Sequence, residues 1–382
     1  MGAGCPLPVR NPVNRPRTLI VGAGISGLAL AKALTDRGAE VEVVERRADG
    51  GGAIGAGLYL PANAVRALQR LGVGDEVAAR AAPVTRQRIH DHHGRPLTEF
   101  EVGRIWGEVG PCRAITRGDL HEVLRTAVDE GRGAPVRPGT DVTGVTDEGA
   151  VTFADGTTDT YDLVVGADGI NSTVRRTLFG GPGPRFLGQL CWRFIADDTT
   201  VPGITDWTAR VGDRGRTFLT VQLGGGRVYC YADINSQMST PPAGDWRALF
   251  ADFGAPVPQL LAQGEGAYFA ALHESESTVW TRSRTVLVGD AAHAFSPSMA
   301  QGGAMALEDA LVLADTLRAE PDVPSALAAY QARRAGRVAW VVAQNHRRDK
   351  ARNLPTPLRN LTFRRAGERL FRSNHAPLHA LP

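Results

Sequence analysis

The sequence has few cysteines, no long hydrophobic run and little net charge. Only Cys5, Cys112, Cys191 and Cys230 are present, and no two of them form a C-x-x-C pair. This argues against a disulfide framework or a zinc site and indicates a reducing, cytoplasmic compartment. No apolar run approaches the roughly 20 residues that cross a bilayer, so we expect no stable membrane association. The net charge of +3 gives no reason to expect a nucleic-acid partner.

Length and composition are typical of a globular protein. The 382 residues are enough for about two domains. Residues 1–16 are rich in Pro, Gly and Asn and lack the apolar core of a secretion signal, so we predict a disordered leader. His90, His92 and His93 lie at a predicted hairpin tip without further ligands at metal spacing. We therefore predict no metal site.

Residues 19–46, LIVGAGISGLALAKALTDRGAEVEVVER, predict a strand, a glycine turn, a helix and a second strand. Gly22, Gly24 and Gly27 form G-x-G-x-x-G, which allows a tight turn, close approach of a pyrophosphate and close helix–strand packing. The helix N-terminus favours bound phosphate. Glu45 follows Gly22 by 23 positions, which suits a carboxylate that binds ribose hydroxyls. The pattern predicts a dinucleotide site but does not separate NAD from FAD.

Two later segments repeat the arrangement of a buried strand followed by a glycine and an aspartate. The strand at 163–165 leads to Asp168-Gly169, and Asn171 or Ser172 can cap the helix that follows. The strand at 286–288 leads to Gly289-Asp290, a loop with Pro297 and a helix that starts near Gly302. A carboxylate at such a strand end can accept hydrogen bonds from ligand hydroxyls.

These three motifs, together with the arginine-led helix at 116–121, resemble the single-component (class A) flavoprotein aromatic hydroxylases, the family of p-hydroxybenzoate and salicylate hydroxylases. The resemblance covers residues 17 to about 350. It implies a mixed α/β (α+β) fold, with a Rossmann-like FAD-binding domain, an antiparallel β-sheet substrate domain and C-terminal helices. The implied FAD-binding domain comprises residues 17–80, 110–180 and 281–330. The substrate domain comprises 81–109 and 181–280, and the C-terminal helices comprise 331–382.

The resemblance also implies an activity. FAD would be the cofactor, and NADH or NADPH and O₂ the co-substrates. A flavin C4a-hydroperoxide would hydroxylate or epoxidise an aromatic or other electron-rich small molecule. A reductase of the same fold, of the geranylgeranyl-reductase type, and a non-catalytic FAD-binding protein remain alternatives. We expect a monomer or homodimer.

The residues that match the family's FAD contacts are spread along the chain. Glu45 would bind the adenosine ribose, and Asp290 the ribityl hydroxyls. The helix near Gly302 would stabilise negative charge on the reduced flavin. Where the family commonly has G-Q-G-x-N, this chain has alanine at positions 300 and 304. The full predicted set is Gly22, Gly24, Ser26, Gly27, Glu45, Arg46, Arg117, Val142, Asp168, Gly169, Gly289, Asp290, Pro297, Gly302 and Gly303.

The flavin carries the chemistry, so the catalytic residues of the chain stay unknown, and substrate contacts must come from the sheet. Residues 216–234 predict a hairpin around three glycines. Thr220 and Gln222 share one face of the first strand, and Tyr229 and Tyr231 share one face of the second. All four are candidate substrate contacts, and either tyrosine could act as a base. Which face points inward stays open.

Three further features receive structural interpretations. We expect His293 to position a loop rather than act as a base, and we interpret Glu308-Asp309 as structural. The basic stretch 345–372 predicts arginines on solvated helices packed over the FAD domain; nucleic-acid binding is the less favoured alternative.

Overall fold

The computed structural model describes residues 16–50, 56–131, 134–199, 201, 204, 206–275 and 277–382. The predicted leader lies, apart from Pro16, outside the described residues. The strands are β1 (Thr18–Val21), β2 (Val41–Glu45), β3 (Gly57–Leu60), β4 (Ala82–Val84), β5 (Arg86–Asp91), β6 (Pro96–Glu101), β7 (Cys112–Thr116), β8 (Val136–Pro138), β9 (Val142–Val145), β10 (Ala150–Phe153), β11 (Thr158–Thr160), β12 (Leu163–Gly166), β13 (Arg185–Asp197), β14 (Trp207–Val211), β15 (Thr217–Gly224), β16 (Arg227–Asn235), β17 (Tyr268–Glu274), β18 (Thr281–Arg282) and β19 (Thr285–Leu287). The α-helices are α1 (Ile25–Thr35), α2 (Ala62–Arg70), α3 (Gly74–Arg80), α4 (Val102–Trp106), α5 (Arg117–Asp129), α6 (Val257–Leu261), α7 (Asp290–His293), α8 (Gly302–Ala319), α9 (Val323–Ala351) and α10 (Thr356–His375).

A six-stranded sheet brings the predicted motifs together. Its strand order is β18-β19-β12-β1-β2-β8, and every neighbouring pair is parallel except β18 with β19. Strands β1, β12 and β19 are fully buried and mostly apolar, as expected for a parallel sheet covered on both faces. The glycine turn follows β1, Glu45 ends β2, Asp168 follows β12 and Asp290 follows β19. Because the carboxyl ends of these parallel strands meet at one edge, the motifs form one crevice there.

Close packing at this edge explains two of the predicted glycines. Gly22 has φ +108°, and a Cβ there would lie 2.5 Å from the carbonyl oxygen of Ala167. A Cβ on Gly27 would lie only 1.9 Å from the carbonyl oxygen of Gly22. Any side chain at either position would therefore separate α1 from the strands that it covers.

A seven-stranded sheet has the order β17-β13-β16-β15-β14-β5-β6, and its strands β15 and β16 pack on the small sheet formed by β3, β7 and β4. Its neighbours are antiparallel except β14 with β5. The predicted hairpins are present as β5–β6 and β15–β16. Strand β4, at residues 82–84, pairs instead with β7, which also pairs with β3. The mixed α/β fold predicted from the sequence is confirmed.

The C-terminal helices close the molecule on one side. Helix α9 starts at Val323, where Asp322 caps it by accepting a hydrogen bond from the backbone of Ser325 at 2.8 Å. It packs on α8, and α10 packs on β6 and α4. Among the described residues, we find no helix with the length and apolarity needed to cross a membrane.

Candidate active site

One large cavity begins at the carboxyl edge of the parallel sheet and continues beneath the seven-stranded sheet to α9 and α10. Its volume is about 1490 Å³, above the roughly 300–1,000 Å³ that is usual for a single small-molecule site. Thirteen of the fifteen predicted cofactor residues line it. The two others, Gly27 and Gly289, act by close packing, since a Cβ on Gly289 would lie 2.8 Å from Ser26 Oγ.

The N-terminus of α1 presents unpartnered donors to the cavity. Gly24 is the N-cap, no side chain caps the helix, and its first turn contains no acidic residue. Ser26 Oγ is buried and has no hydrogen-bond partner among the described residues. Free N–H groups and an unsatisfied hydroxyl at a helix N-terminus suit a pyrophosphate, so this part of the cavity fits the predicted dinucleotide.

Glu45 is fixed at the end of β2 by two backbone groups. Its Oε2 accepts a hydrogen bond from Ala23 N at 2.9 Å, and its Oε1 accepts one from Arg47 N at 3.0 Å. The ring of His121, on α5, contacts the carbonyl oxygen of Ala23 with its Nε2 at 2.8 Å. These contacts fix the orientation of the carboxylate beside the glycine turn, where the sequence predicts the adenosine ribose.

Asp168 both lines the cavity and caps the turn that follows it. Its Oδ2 accepts hydrogen bonds from the backbone of Thr173 at 2.7 Å and of Val174 at 3.2 Å. Burial raises the pKa of Asp168 above its usual range. Of the two residues predicted to cap the next helical segment, Ser172 does so, by accepting from Arg175 N at 2.9 Å. The structural and ligand roles predicted for Asp168 are thus compatible.

A buried ionic network supports the loop that carries Asp290. Gly289 N donates to Asp309 Oδ2 at 2.9 Å, and His293 Nε2 lies 2.7 Å from the same oxygen. Arg334, with no exposed surface, donates from Nε to Asp309 Oδ1 at 2.7 Å. Burial alone would raise the pKa of Asp309, but His293 and Arg334 lower it to about 2. This geometry agrees with the positioning role predicted for His293.

The same network extends to the N-terminus of α8. Arg334 Nη1 donates to Glu308 Oε2 at 2.8 Å, and Asn63 Nδ2 donates to Glu308 Oε1 at 3.0 Å. Asn63 Nδ2 also donates to the side chain of Gln301, the N-cap residue, at 2.9 Å. No side chain caps α8, so its first N–H groups remain available. Ala300, just before it, has φ +51°, a left-handed conformation that favours glycine.

The β15–β16 hairpin turns one of its faces toward the cavity. Tyr229 and Tyr231 line the cavity, together with Leu219 and Val221 of the neighbouring strand. A Cβ on Gly57 would lie 2.4 Å from Cγ of the Tyr229 ring, so β3 packs directly against this tyrosine. Tyr231 donates its hydroxyl to Asp233 at 3.0 Å.

Thr220 and Gln222 lie on the opposite face, so the prediction that they contact substrate is wrong. Thr220 donates to the carbonyl oxygen of Thr208 at 3.3 Å, and Gln222 donates to Asp198 at 2.7 Å. Their face is covered because Val228, Cys230 and Ala232 pack on a second core. That core includes Phe194, Val201, Phe218, Phe250, Phe253, Val257, Leu260 and Leu261.

Comparison with known proteins decides the family. The model of the family described as "FAD binding domain" matches residues 15–345. This chain belongs to that family. Among the curated relatives of this flavoprotein, the aurachin C monooxygenase/isomerase of Stigmatella aurantiaca is 36% identical, covering 86% of this chain and 88% of its own. A 3-amino-4-hydroxybenzoate 2-monooxygenase of Streptomyces platensis is 35% identical, and the match covers 89% of this chain and 88% of that protein.

A solved structure extends the likeness to three dimensions. Klebsiella pneumoniae HpxO, complexed with FAD and uric acid, has a TM-score of 0.83 and 28% identity, covering 96% of this flavoprotein and 97% of that chain. The family and its monooxygenase members confirm the predicted class, an FAD-dependent monooxygenase of the aromatic hydroxylase kind. They favour it over the reductase alternative.

The two tyrosines of the flavoprotein do not suit the role of base that the sequence left open for them. Burial raises the pKa of Tyr229, and it raises the pKa of Tyr231 well above its usual value. Both phenols therefore stay protonated at neutral pH and serve as hydrogen-bonding groups.

The basic C-terminal stretch also differs from its prediction as a set of solvated arginines. Several of its side chains point into the cavity, because α9 turns one helical face toward it. Gln344 and Ala351 lie on this face, which follows the 3–4-residue spacing of a helix. The arginines of the stretch that line the cavity are Arg347, Arg348, Arg352 and Arg359.

Proposed function

We propose that this flavoprotein uses FAD, NADH or NADPH and O₂ to insert one oxygen atom into a flat aromatic small molecule. The observation that carries the proposal is the single cavity that joins the predicted FAD residues to the Tyr229 face of the sheet. By their names, relatives act on 3-amino-4-hydroxybenzoate and on urate, which are small flat ring compounds.

The chain's own residues would bind and orient the cofactor. Glu45 would hold the adenosine ribose, the N-terminus of α1 the pyrophosphate, and Asp290 the ribityl hydroxyls. The uncapped N-terminus of α8 would stabilise negative charge on the reduced ring through its N–H groups and dipole. When bound, FAD supplies the electron transfer from the nicotinamide and the reaction with O₂.

The substrate would lie between the flavin and the seven-stranded sheet. Leu219, Val221 and Phe269 provide an apolar wall that excludes water. Tyr229, a neutral phenol, can donate a hydrogen bond that fixes the orientation of the ring. No proton transfer by the protein is needed for this role, and none is proposed.

Purified protein tests the function directly. We expect a yellow protein that oxidises NADH or NADPH slowly, releases hydrogen peroxide without substrate, and oxidises the nicotinamide faster with an accepted aromatic compound. Product formed in a 1:1 ratio with consumed O₂ identifies a monooxygenase, and product formed without O₂ identifies a reductase. A folded protein that is colourless and does not take up added FAD would refute the proposal.

We propose a cytoplasmic monomer or homodimer, with the FAD-binding and substrate domains divided as the sequence predicts. Sedimentation of the FAD-loaded protein measures the oligomeric state, and a trimer or tetramer would contradict this proposal.

A further inference from the structure

A hydrogen bond joins the main cavity to a second pocket, the outer pocket, between α9 and the start of β13. Ser298 lines the main cavity, and its hydroxyl donates to Asp349 Oδ1 at 2.5 Å. Asp349 lines the outer pocket. We propose that Ser298 and Asp349 form a proton path from the outer pocket to the flavin side of the main cavity. This inference rests on the proposed function, because it assigns the source of the proton that the reaction consumes.

The proposed reaction consumes one proton in each turnover. NADH or NADPH, O₂, the aromatic substrate and one proton give NAD⁺ or NADP⁺, the hydroxylated product and water. The nicotinamide supplies two electrons as a hydride, and the second oxygen atom leaves in the water. Because Leu219, Val221 and Phe269 form an apolar wall over the substrate, the proton needs polar groups to carry it to the reacting atoms.

Ser298 provides the inner end of the path. It directly follows Pro297, in the loop expected beside the flavin ring. A serine hydroxyl can donate one hydrogen bond and accept others, so it can receive a proton on one side and release one on the other. When Asp349 carries a proton, the direction of the hydrogen bond between the two side chains reverses. The hydroxyl of Ser298 can then donate into the main cavity.

Asp349 provides the outer end of the path. The 2.5 Å contact from Ser298 has the length of a hydrogen bond to a charged oxygen. The second oxygen, Oδ2, is enclosed and has no hydrogen-bond partner among the described residues. An enclosed polar atom without a partner is unfavourable and calls for an explanation. We infer that Oδ2 is the atom that accepts the proton from the outer pocket.

The outer pocket can supply protons from solvent. Its volume is about 520 Å³, well above the roughly 10–15 Å³ that one water molecule needs. Lys350 and Asn353 are exposed at its rim, and the side chain of His346 is 41% exposed and lies 2.8 Å from Glu274. The charged and titratable groups around Asp349 are Arg348 and Arg352 on its own helix, and Arg185, His346 and Lys350 in the pocket.

The loop that contains Ser298 is also attached to α9 without Asp349. Arg348 Nη1 donates to the carbonyl oxygen of Ser298 at 2.7 Å, and Asn345 Oδ1 accepts from Met299 N at 2.8 Å. If Asp349 only anchored the loop, it would add a third bond to these two. Asparagine could accept that bond equally well, so a structural role predicts little effect of Asp349→Asn.

The test measures proton uptake in Asp349→Asn, which keeps the shape of the side chain but does not carry a proton. FAD-loaded protein is reduced anaerobically and mixed with O₂ in weak buffer that contains a pH-indicator dye. We expect Asp349→Asn and Ser298→Ala to slow proton uptake at least ten-fold and to increase its solvent deuterium isotope effect. Ser298→Thr keeps the hydroxyl and should retain the wild-type rate. Glu265→Gln, which changes an exposed carboxylate before β17, is the matched control.

A second readout requires no turnover. After a pH jump in the alkaline range, the absorbance of the oxidised flavin follows the loss of a proton from its ring. Asp349→Asn and Ser298→Ala should slow this change at least ten-fold, whereas Ser298→Thr and Glu265→Gln should not.

Failure of the path can be distinguished from failure of the proposed function. Wild-type protein that NADH and NADPH do not reduce would contradict the function, while the pH jump, which uses neither, would still test the path. Wild-type rates in both Asp349→Asn and Ser298→Ala would overturn the path and show that protons enter elsewhere. Loss of FAD and of stability in these two variants and in Ser298→Thr would show that the contact is structural, and the proposal would be wrong.

Discussion

Replacing Arg334 with methionine should destabilise the protein and loosen its hold on flavin. Arg334 has no exposed surface and donates to Asp309 at 2.7 Å and to Glu308 at 2.8 Å. Methionine fills much of the volume but leaves two buried carboxylates short of positive charge. Breaking a buried ion pair from one side costs about 3–5 kcal/mol, a large part of the roughly 5–15 kcal/mol that stabilises a typical protein.

Urea unfolding of the FAD-loaded protein, followed by flavin release and by circular dichroism, measures this loss. Arg372→Met is the matched control, because Arg372 is 57% exposed and pairs with Glu368 at the surface, where such pairs contribute about 0–1 kcal/mol. The double variant Arg334→Met/Asp309→Asn should recover part of the loss, since it removes one of the two buried carboxylates that have lost Arg334. A loss below about 1 kcal/mol for Arg334→Met, or one no larger than the control's, would refute the reasoning.

Four further predictions follow from the same site. Asp290→Ala should purify largely without flavin, and full FAD occupancy would contradict the role of Asp290. Ala300→Gly should raise the unfolding free energy by up to about 1 kcal/mol, because relief of the left-handed strain of about 1–2 kcal/mol exceeds the added chain entropy; an unchanged or lower value would contradict this. Gly57→Ala should cost about 1–3 kcal/mol and increase peroxide release, because its Cβ would meet the Tyr229 ring; wild-type stability and coupling would argue against that packing. The carboxylate of Asp309, with its pKa lowered to about 2, should contribute on the order of 2 kcal/mol above pH 4 and lose it as the pH falls from about 4 to 2. Unfolding measured across that range in wild type and Asp309→Asn checks this, and parallel pH profiles would contradict it.

Local sequence patterns were sufficient to predict the residues on the cofactor side of the cavity. Gly22, Gly27 and Glu45 lie within 24 residues of one another, so their strand–helix–strand unit can be interpreted without knowledge of distant contacts. The strand ends at Asp168 and Asp290 were found in the same way. Each depends on a buried strand and the few residues that follow it.

Which residues line the substrate side of the cavity depends on contacts between distant segments, so it could not be predicted from local patterns. Alternation separates Thr220 from Leu219 and Cys230 from Tyr229, but the choice of inner face is made by Phe250 and its neighbours, which lie later in the chain. The spacing of the α9 arginines could have predicted that they share one helical face, but the basic composition of the stretch alone did not. Arg348 and Arg352 are four residues apart and share a helical face with Gln344 and Ala351.

The segments that form the flavin crevice are far apart in the sequence, so the ribosome synthesises them at different times. The glycine turn is made first, but the loop at Gly289 is supported by Asp309, which is itself neutralised by Arg334. A growing chain on the ribosome therefore carries an incomplete crevice until α9 has emerged. We therefore expect FAD to be captured late in biosynthesis, and chains truncated before α9 to accumulate in the apo form even when flavin is abundant.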